Sequence, residues 1–188
     1  IVKAAEKIKE SQQPLIVAGG GVLYSEAEKE LSAFAKKHNI PVTPTVMGIG
    51  CMQKDDPYYI GAIGCLGEGS SNSLSKDTDM AIAIGTKLGD FTTGSWTNFQ
   101  NPKFQLVSIN TARFDVTKHR AIPIISDAKI GLKELSDVLG DWKAPNSWYQ
   151  RAVKEREKWD AYVKKNCGPT NQETPSYAHA VGAIYRNA

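Results

Sequence analysis

The 188-residue sequence contains only three cysteines and no long run of apolar residues. Cys51, Cys65 and Cys167 are far apart and form no C-x-x-C pair, so neither a disulfide framework nor a zinc site is expected. No apolar stretch approaches the ~20 residues that a membrane-spanning helix needs. The first ten residues carry charges every few positions and lack the apolar segment of a signal peptide. We therefore expect a cytoplasmic protein.

The sequence also has little net charge and few catalytic signals. A formal net charge of +3 is too small to indicate binding to nucleic acid or to an anionic membrane. Neither a P-loop nor a G-x-S-x-G motif is present. The three histidines have no neighbouring cysteine or carboxylate that would suggest a triad, and His38 is expected to be solvated or to cap a helix. No catalytic or metal-binding residue is expected in this chain.

Short, continuous apolar runs alternate with helical patterns along the chain. The runs are typical of strands buried on both faces of a parallel sheet, and they cover residues 15–18, 40–43, 80–84, 104–109 and 122–125. Pro123 lacks an amide proton, which places the last strand at a sheet edge. Ser25 and Glu28 form an S-x-x-E capping box, and Asp127 caps a helix whose apolar face includes Val138. The sequence predicts a three-layer, Rossmann-like α/β domain with a five- or six-stranded parallel sheet.

Three consecutive glycines, Gly19 to Gly21, follow the first strand and suggest a turn that could approach a phosphate. A dinucleotide fingerprint needs a third glycine where this chain has Tyr24, and an acidic residue after the second strand, where it has Pro44-Thr45-Val46. Ordinary NAD binding is therefore disfavoured. The triplet is either a tight turn without a nucleotide or part of a site that holds a nucleotide differently.

A second candidate loop, residues 85–95, follows the predicted strand at 80–84. It would lie at the carboxyl edge of the sheet, where ligands bind in such folds. Thr86, Lys87 and several glycines in it could hold a phosphate, whereas Trp96 and Phe99 beyond it suit a loop that packs against a neighbouring domain. Both interpretations remain open at this point.

The order of several motifs resembles a known family. IVAGGG, IPVTPTV, YYIGAIG, IGTKLGDFTTGS, VSIN and IPIISDAK occur in this order over about residues 1–140, and they resemble the central domain of thiamine-diphosphate-dependent enzymes such as acetolactate synthase and pyruvate decarboxylase. IGTKLGDFTTGS is the most specific block. The region 89–129 is most similar to members that open a cyclic diketone by C–C hydrolysis in myo-inositol catabolism.

The resemblance implies a division of labour among three domains. Residues 1–168 would form the central domain, with 147–167 as a peripheral helix, and residues 169–188 would be the linker and first helix of the third domain. Thiamine diphosphate and Mg²⁺ would be bound by the other two domains, through a G-D-G motif for which Gly140-Asp141-Trp142 is no substitute. A chain that begins at Ile1 and ends within a predicted helix is expected to be a piece of such a protein, inactive alone. The parent would be a homodimer or homotetramer.

Two alternatives to the thiamine-dependent hydrolase imply a bound nucleotide in this chain. The chain could be the central domain of a flavin-requiring carboligase, with FAD or ADP along the strand ends. The positions that match such a nucleotide site are Gly19, Gly20, Gly21, Thr86, Lys87, Asn110 and Asp127. Asn110 stands where relatives often have an acidic residue, which puts ribose binding in doubt. The other alternative is a free-standing nucleotide-binding module, which the missing NAD fingerprint disfavours.

Overall fold

A computed structural model describes residues 1–187. Its single sheet contains five parallel strands in the order β2-β1-β3-β4-β5. This arrangement confirms the predicted three-layer parallel α/β fold and places the last strand at an edge, as Pro123 suggested. The strands are β1 (Pro14–Ala18), β2 (Val42–Pro44), β3 (Met80–Ile84), β4 (Gln105–Asn110) and β5 (Ile122–Ile125).

Helices flank the sheet on both faces and at its carboxyl edge. They are α1 (Val2–Glu10), α2 (Gly20–Tyr24), α3 (Glu28–His38), α4 (Gly69–Asp77), α5 (Asp90–Thr93), α6 (Arg113–Val116), α7 (Ala128–Leu139), α8 (Asn146–Asn166) and α9 (Tyr177–Asn187), with short 3-10 turns at Val46–Gly48 and Lys118–Arg120. Within the described part of the chain, no helix is both long and apolar enough to cross a membrane.

Each central strand divides its side chains between two cores. Ile16, Ile82 and Ile84 belong to a large cluster with α1, α3 and α7, whereas Val17 and Ala83 belong to a smaller cluster on the other face. Because successive strand residues point to opposite faces, a strand covered on both sides must be apolar throughout. This is why the sheet could be predicted from continuous apolar runs.

The register brings the strand ends to one level. Ala18 pairs with both Pro44 and Ile84, Ile84 pairs with Ile109, and Asn110 pairs with Ile125. The residues that follow these strands therefore meet at one carboxyl edge. The strand order reverses between β1 and β3, the point at which open α/β sheets form a crevice for ligands.

The helix that follows the glycine triplet differs from the prediction. Ser25 does not cap α3, because α3 begins at Glu28 and its N-cap residue, Ala27, makes no side-chain cap. The short helix α2 lies between β1 and α3 and ends at Ser25. The next residue, Glu26, has a left-handed backbone conformation with a φ of 49°, which separates α2 from α3. On α7, Asp127 is the N-cap as predicted. Val138, however, is an exposed residue of that helix.

His38 is buried, so the expectation of a solvated or capping histidine is wrong. Its ring packs on Phe34, Nδ1 lies 2.8 Å from the carbonyl oxygen of Trp142, and Nε2 lies 3.0 Å from the hydroxyl of Ser136. A carbonyl can only accept, so Nδ1 carries the proton and Nε2 accepts from Ser136. Burial lowers the pKa of His38, and the charges of Lys37 and Lys143 lower it further, although the Trp142 carbonyl opposes them.

We expect the chain to lose stability as the pH falls from about 6.5, the pKa of an unperturbed histidine. The stabilisation from neutral His38 is complete above the unfolded pKa and disappears as the pH falls through the lower folded pKa. Urea unfolding of residues 1–188 at several pH values measures this slope. His38→Gln should reduce it but not remove it, because burial also lowers the pKa of His119, whereas His179→Gln, a change on α9 outside the core, should leave it unchanged. An equal slope in wild type and His38→Gln would contradict this role of His38.

Candidate site at the carboxyl edge of the sheet

A cavity of about 780 Å³ opens at the carboxyl edge of the sheet. It lies at the reversal of strand order between β1 and β3, where the topology predicts a binding crevice. The lining combines backbone of the two glycine turns, hydroxyl groups and apolar side chains: Gly20, Gly21, Tyr24, Ser25, Thr45, Val46, Met47, Leu66, Gly85, Thr86, Lys87, Gly89, Phe91, Thr92, Ile109, Asn110, Thr111, Ser126, Asp127 and Ala128.

The glycine triplet packs directly against the turn that follows β3. Gly21 N–H donates to the Gly85 carbonyl at 3.0 Å, and Gly19 N–H donates to the Ile84 carbonyl at 2.8 Å. A Cβ on Gly21 would lie 2.6 Å from the Gly85 Cα, and Gly85 itself has a φ of 58°. The glycines therefore serve a backbone contact between two turns. Two of the three triplet amides are used by this contact, which leaves only the amide of Gly20 for an external acceptor.

Asp127 joins α7 to the segment between α2 and α3. Its Oδ1 accepts from the Lys129 N–H at 2.9 Å, and its Oδ2 accepts from the Ser25 hydroxyl at 2.5 Å. The Ser25 hydrogen bond is the main reason that the pKa of Asp127 is lowered, with further help from backbone N–H groups of α7. Both carboxylate oxygens already have donors within the chain.

Asn110 braces two neighbouring turns in the same way. Its Nδ2 donates to the Thr86 carbonyl at 3.3 Å, and its Oδ1 accepts from the Ala112 N–H at 2.9 Å. The Thr86 hydroxyl in turn accepts from the Leu88 N–H at 3.3 Å. These side chains hold the turns after β3 and β4 together.

Lys87 is exposed, unlike Thr86 and Leu88 on either side of it in the sequence. Its ammonium makes no ion pair or side-chain hydrogen bond to any other residue in the range 1–187. The surrounding apolar side chains are also exposed, and we call them the apolar rim: Tyr24, Val46, Met47, Leu66 and Phe91.

The structure thus places six of the seven positions named from the sequence around one cavity. Gly20, Gly21, Thr86, Lys87, Asn110 and Asp127 line it, whereas Gly19 lies behind the Gly85 turn. Whether they face a nucleotide stays a prediction. The apolar rim as a whole was missed because its residues come from four separate segments, although Phe91 lies in the loop 85–95 that the sequence suggested could pack against a neighbouring domain.

The residues present do not fit a metal-bound diphosphate. Gly140 ends α7 with a φ of 64°, and neither it nor Asp141 follows a strand end at the carboxyl edge. Among residues 1–187, no group of three or more histidine, cysteine, aspartate or glutamate side chains could hold a metal ion. Cys51 is buried, which raises its pKa to about 12, so its thiol is not a reactive nucleophile.

Comparison with known proteins gives a consistent result. The family model described as "Thiamine pyrophosphate enzyme, central domain" matches residues 1–135. The chain is 35% identical over 163 residues to 3D-(3,5/4)-trihydroxycyclohexane-1,2-dione hydrolase of Clostridium perfringens (strain 13 / Type A), covering 87% of this chain and 26% of that protein. It is 37% identical over 165 residues to the hydrolase of the same name from Clostridium tetani (strain Massachusetts / E88), covering 88% and 26%. The chain thus spans about a quarter of the length of these relatives.

Replacing Gly21 tests whether the triplet is needed for the contact with Gly85. We expect Gly21→Ala to lower the free energy of unfolding by about 1–3 kcal/mol, because the added methyl group overlaps the Gly85 backbone. The matched control is Gly20→Ala, whose methyl group would lie 3.1 Å from the nearest atom, the Met47 carbonyl oxygen. Urea unfolding measures both, and an equal loss in the two variants would contradict this assignment.

Proposed function

Because this chain belongs to the thiamine pyrophosphate enzyme family, as its central domain, we propose that it is part of a longer, cytoplasmic, thiamine-diphosphate-dependent hydrolase. The proposed reaction is hydrolytic opening of the ring of trihydroxycyclohexane-1,2-dione in myo-inositol catabolism. The observation that carries this proposal is the similarity to hydrolases of that name, at 34% to 37% identity over 87% to 88% of the chain.

In this proposal the central domain supplies a scaffold. Most of its polar groups at the carboxyl edge join strands and helices of the chain itself, and residues 1–187 do not fit a thiamine diphosphate and Mg²⁺ site. That cofactor, when bound by the other domains, supplies the electron sink for C–C cleavage. The chain's own contribution is to hold those domains in place around a small cyclic diketone. The longer protein is a homodimer or homotetramer, and neither nucleic acid nor a membrane is a partner.

Contacts of the last two helices support a domain boundary near residue 168. Helix α8 is joined to the core, because Trp148 Nε1 donates to the Pro14 carbonyl at 2.8 Å and Arg156 pairs with Glu68 at 3.3 Å. Helix α9 contacts Cys167 at the end of α8 and Lys54, and its Val181 and Ile184 are largely exposed. We propose that residues 1–168 are the central domain and that 169–188 begin the next one.

The flavin-requiring carboligase is the second candidate, and the cavity of about 780 Å³ is the observation that favours it. The groups expected to hold the nucleotide argue against it. Asp127 and Asn110 already bond within the chain, and two of the three triplet amides already have acceptors. We therefore assign neither FAD nor ADP to the hydrolase.

An assay of the longer protein separates the two candidates. With thiamine diphosphate and Mg²⁺, it should convert the cyclic dione to the ring-opened acid and show no flavin absorbance after purification. Removing Mg²⁺ with a chelator should abolish turnover, and residues 1–188 alone should be inactive in the same assay. A yellow protein that joins two 2-keto acids but leaves the dione intact would establish the carboligase instead.

A further inference from the structure

The apolar side chains of the rim around the cavity are largely exposed. The exposed fractions are 89% for Tyr24, 48% for Val46, 71% for Met47, 75% for Leu66 and 70% for Phe91. The residues belong to four segments, which are α2, the turn after β2, the loop that precedes α4, and helix α5. All of them nevertheless surround one opening. Apolar side chains that converge from separate segments mark a surface that is covered by something else.

We propose that the apolar rim is the docking surface for another part of the same polypeptide. The inference rests on the proposed function, in which this chain is one domain of a longer enzyme. The relatives it matches have only 26% of their length in the matched region, so most of each polypeptide lies elsewhere. A tethered domain is present at a high effective concentration and reaches the rim before a separate molecule does.

Lys87 adds a chemical requirement for the docked segment. Lys87 lines the same opening and makes no ion pair in the described part of the chain, whereas the Asp127 carboxylate has two donors. A segment that covers the rim must therefore bring apolar side chains for the rim and a carboxylate or carbonyl oxygen for Lys87. A purely apolar segment would leave that charge buried and unpaired.

Cys65 provides a native probe of this surface. It is exposed, it precedes Leu66, and its amide donates to the Phe91 carbonyl at 2.8 Å. A maleimide should label Cys65 rapidly in residues 1–188, which have their own two-sided core. In the longer protein we expect labelling to be at least about tenfold slower, because it requires the docked segment to open. Peptide mass spectrometry distinguishes the cysteines, with buried Cys51 as the negative control and Lys133→Cys on α7 as the exposed control.

Equal labelling of Cys65 in the two proteins would overturn the proposal. Protection that appears in residues 1–188 as their concentration rises would identify a second copy as the occupant and would overturn it as well. The same sample of the longer protein is assayed with the cyclic dione. Turnover with an unprotected Cys65 refutes only the docking surface, and protection without turnover refutes only the proposed hydrolase.

A pair of substitutions gives an independent measurement. Leu66→Ser with Phe91→Ser should lower the thermal midpoint of the longer protein but not that of residues 1–188, where both side chains already face solvent. Ile130→Ser, at a 55% exposed position on α7, is the control and should leave both midpoints unchanged. If the double substitution lowers neither midpoint, the rim is not an interface.

Discussion

Contact between two glycine turns is the constraint on which the carboxyl edge depends. Gly19 and Gly21 after β1 lie against Gly85 after β3, so close that no side chain fits between them. Two amides of the triplet donate to carbonyls at the end of β3. In nucleotide-binding relatives of this architecture, such a turn presents its amides to a phosphate. Here most of that capacity is used to join the two central strands.

The other polar groups at this edge follow the same pattern. Asp127 joins α7 to Ser25, and Asn110 joins the turns after β3 and β4. Lys87, the amide of Gly20 and the apolar rim have no partners among the described residues. Lys87 and the rim suit the packing of a further domain better than the capture of a diphosphate. The described residues therefore combine a core covered on both faces of the sheet with an exposed apolar rim.

The sequence predicted the sheet well because its strands are buried on both faces, and a continuous apolar run as short as residues 80–84 is typical of such a strand. The sequence was a poorer guide to side-chain environments that are determined by tertiary contacts. Ser25 matched a capping box, but in the structure it ends helix α2 and its hydroxyl donates to Asp127. His38 was expected to be a solvated residue at a helix end, but the segment that contains Trp142 covers it and accepts a hydrogen bond from its Nδ1. The residues near the cavity were found because strand ends converge in any parallel sheet, whereas the rim depends on loops without a repeating pattern.

We propose that the carboxyl edge holds the chain together and binds no nucleotide. Calorimetric titration of residues 1–188 with ADP, and separately with thiamine diphosphate and Mg²⁺, tests it most directly. We expect no measurable heat of binding for either, because two of the three matching amides and both carboxylate oxygens of Asp127 already have partners. Saturable micromolar binding of ADP that is lost in a Lys87→Ala variant would contradict the claim.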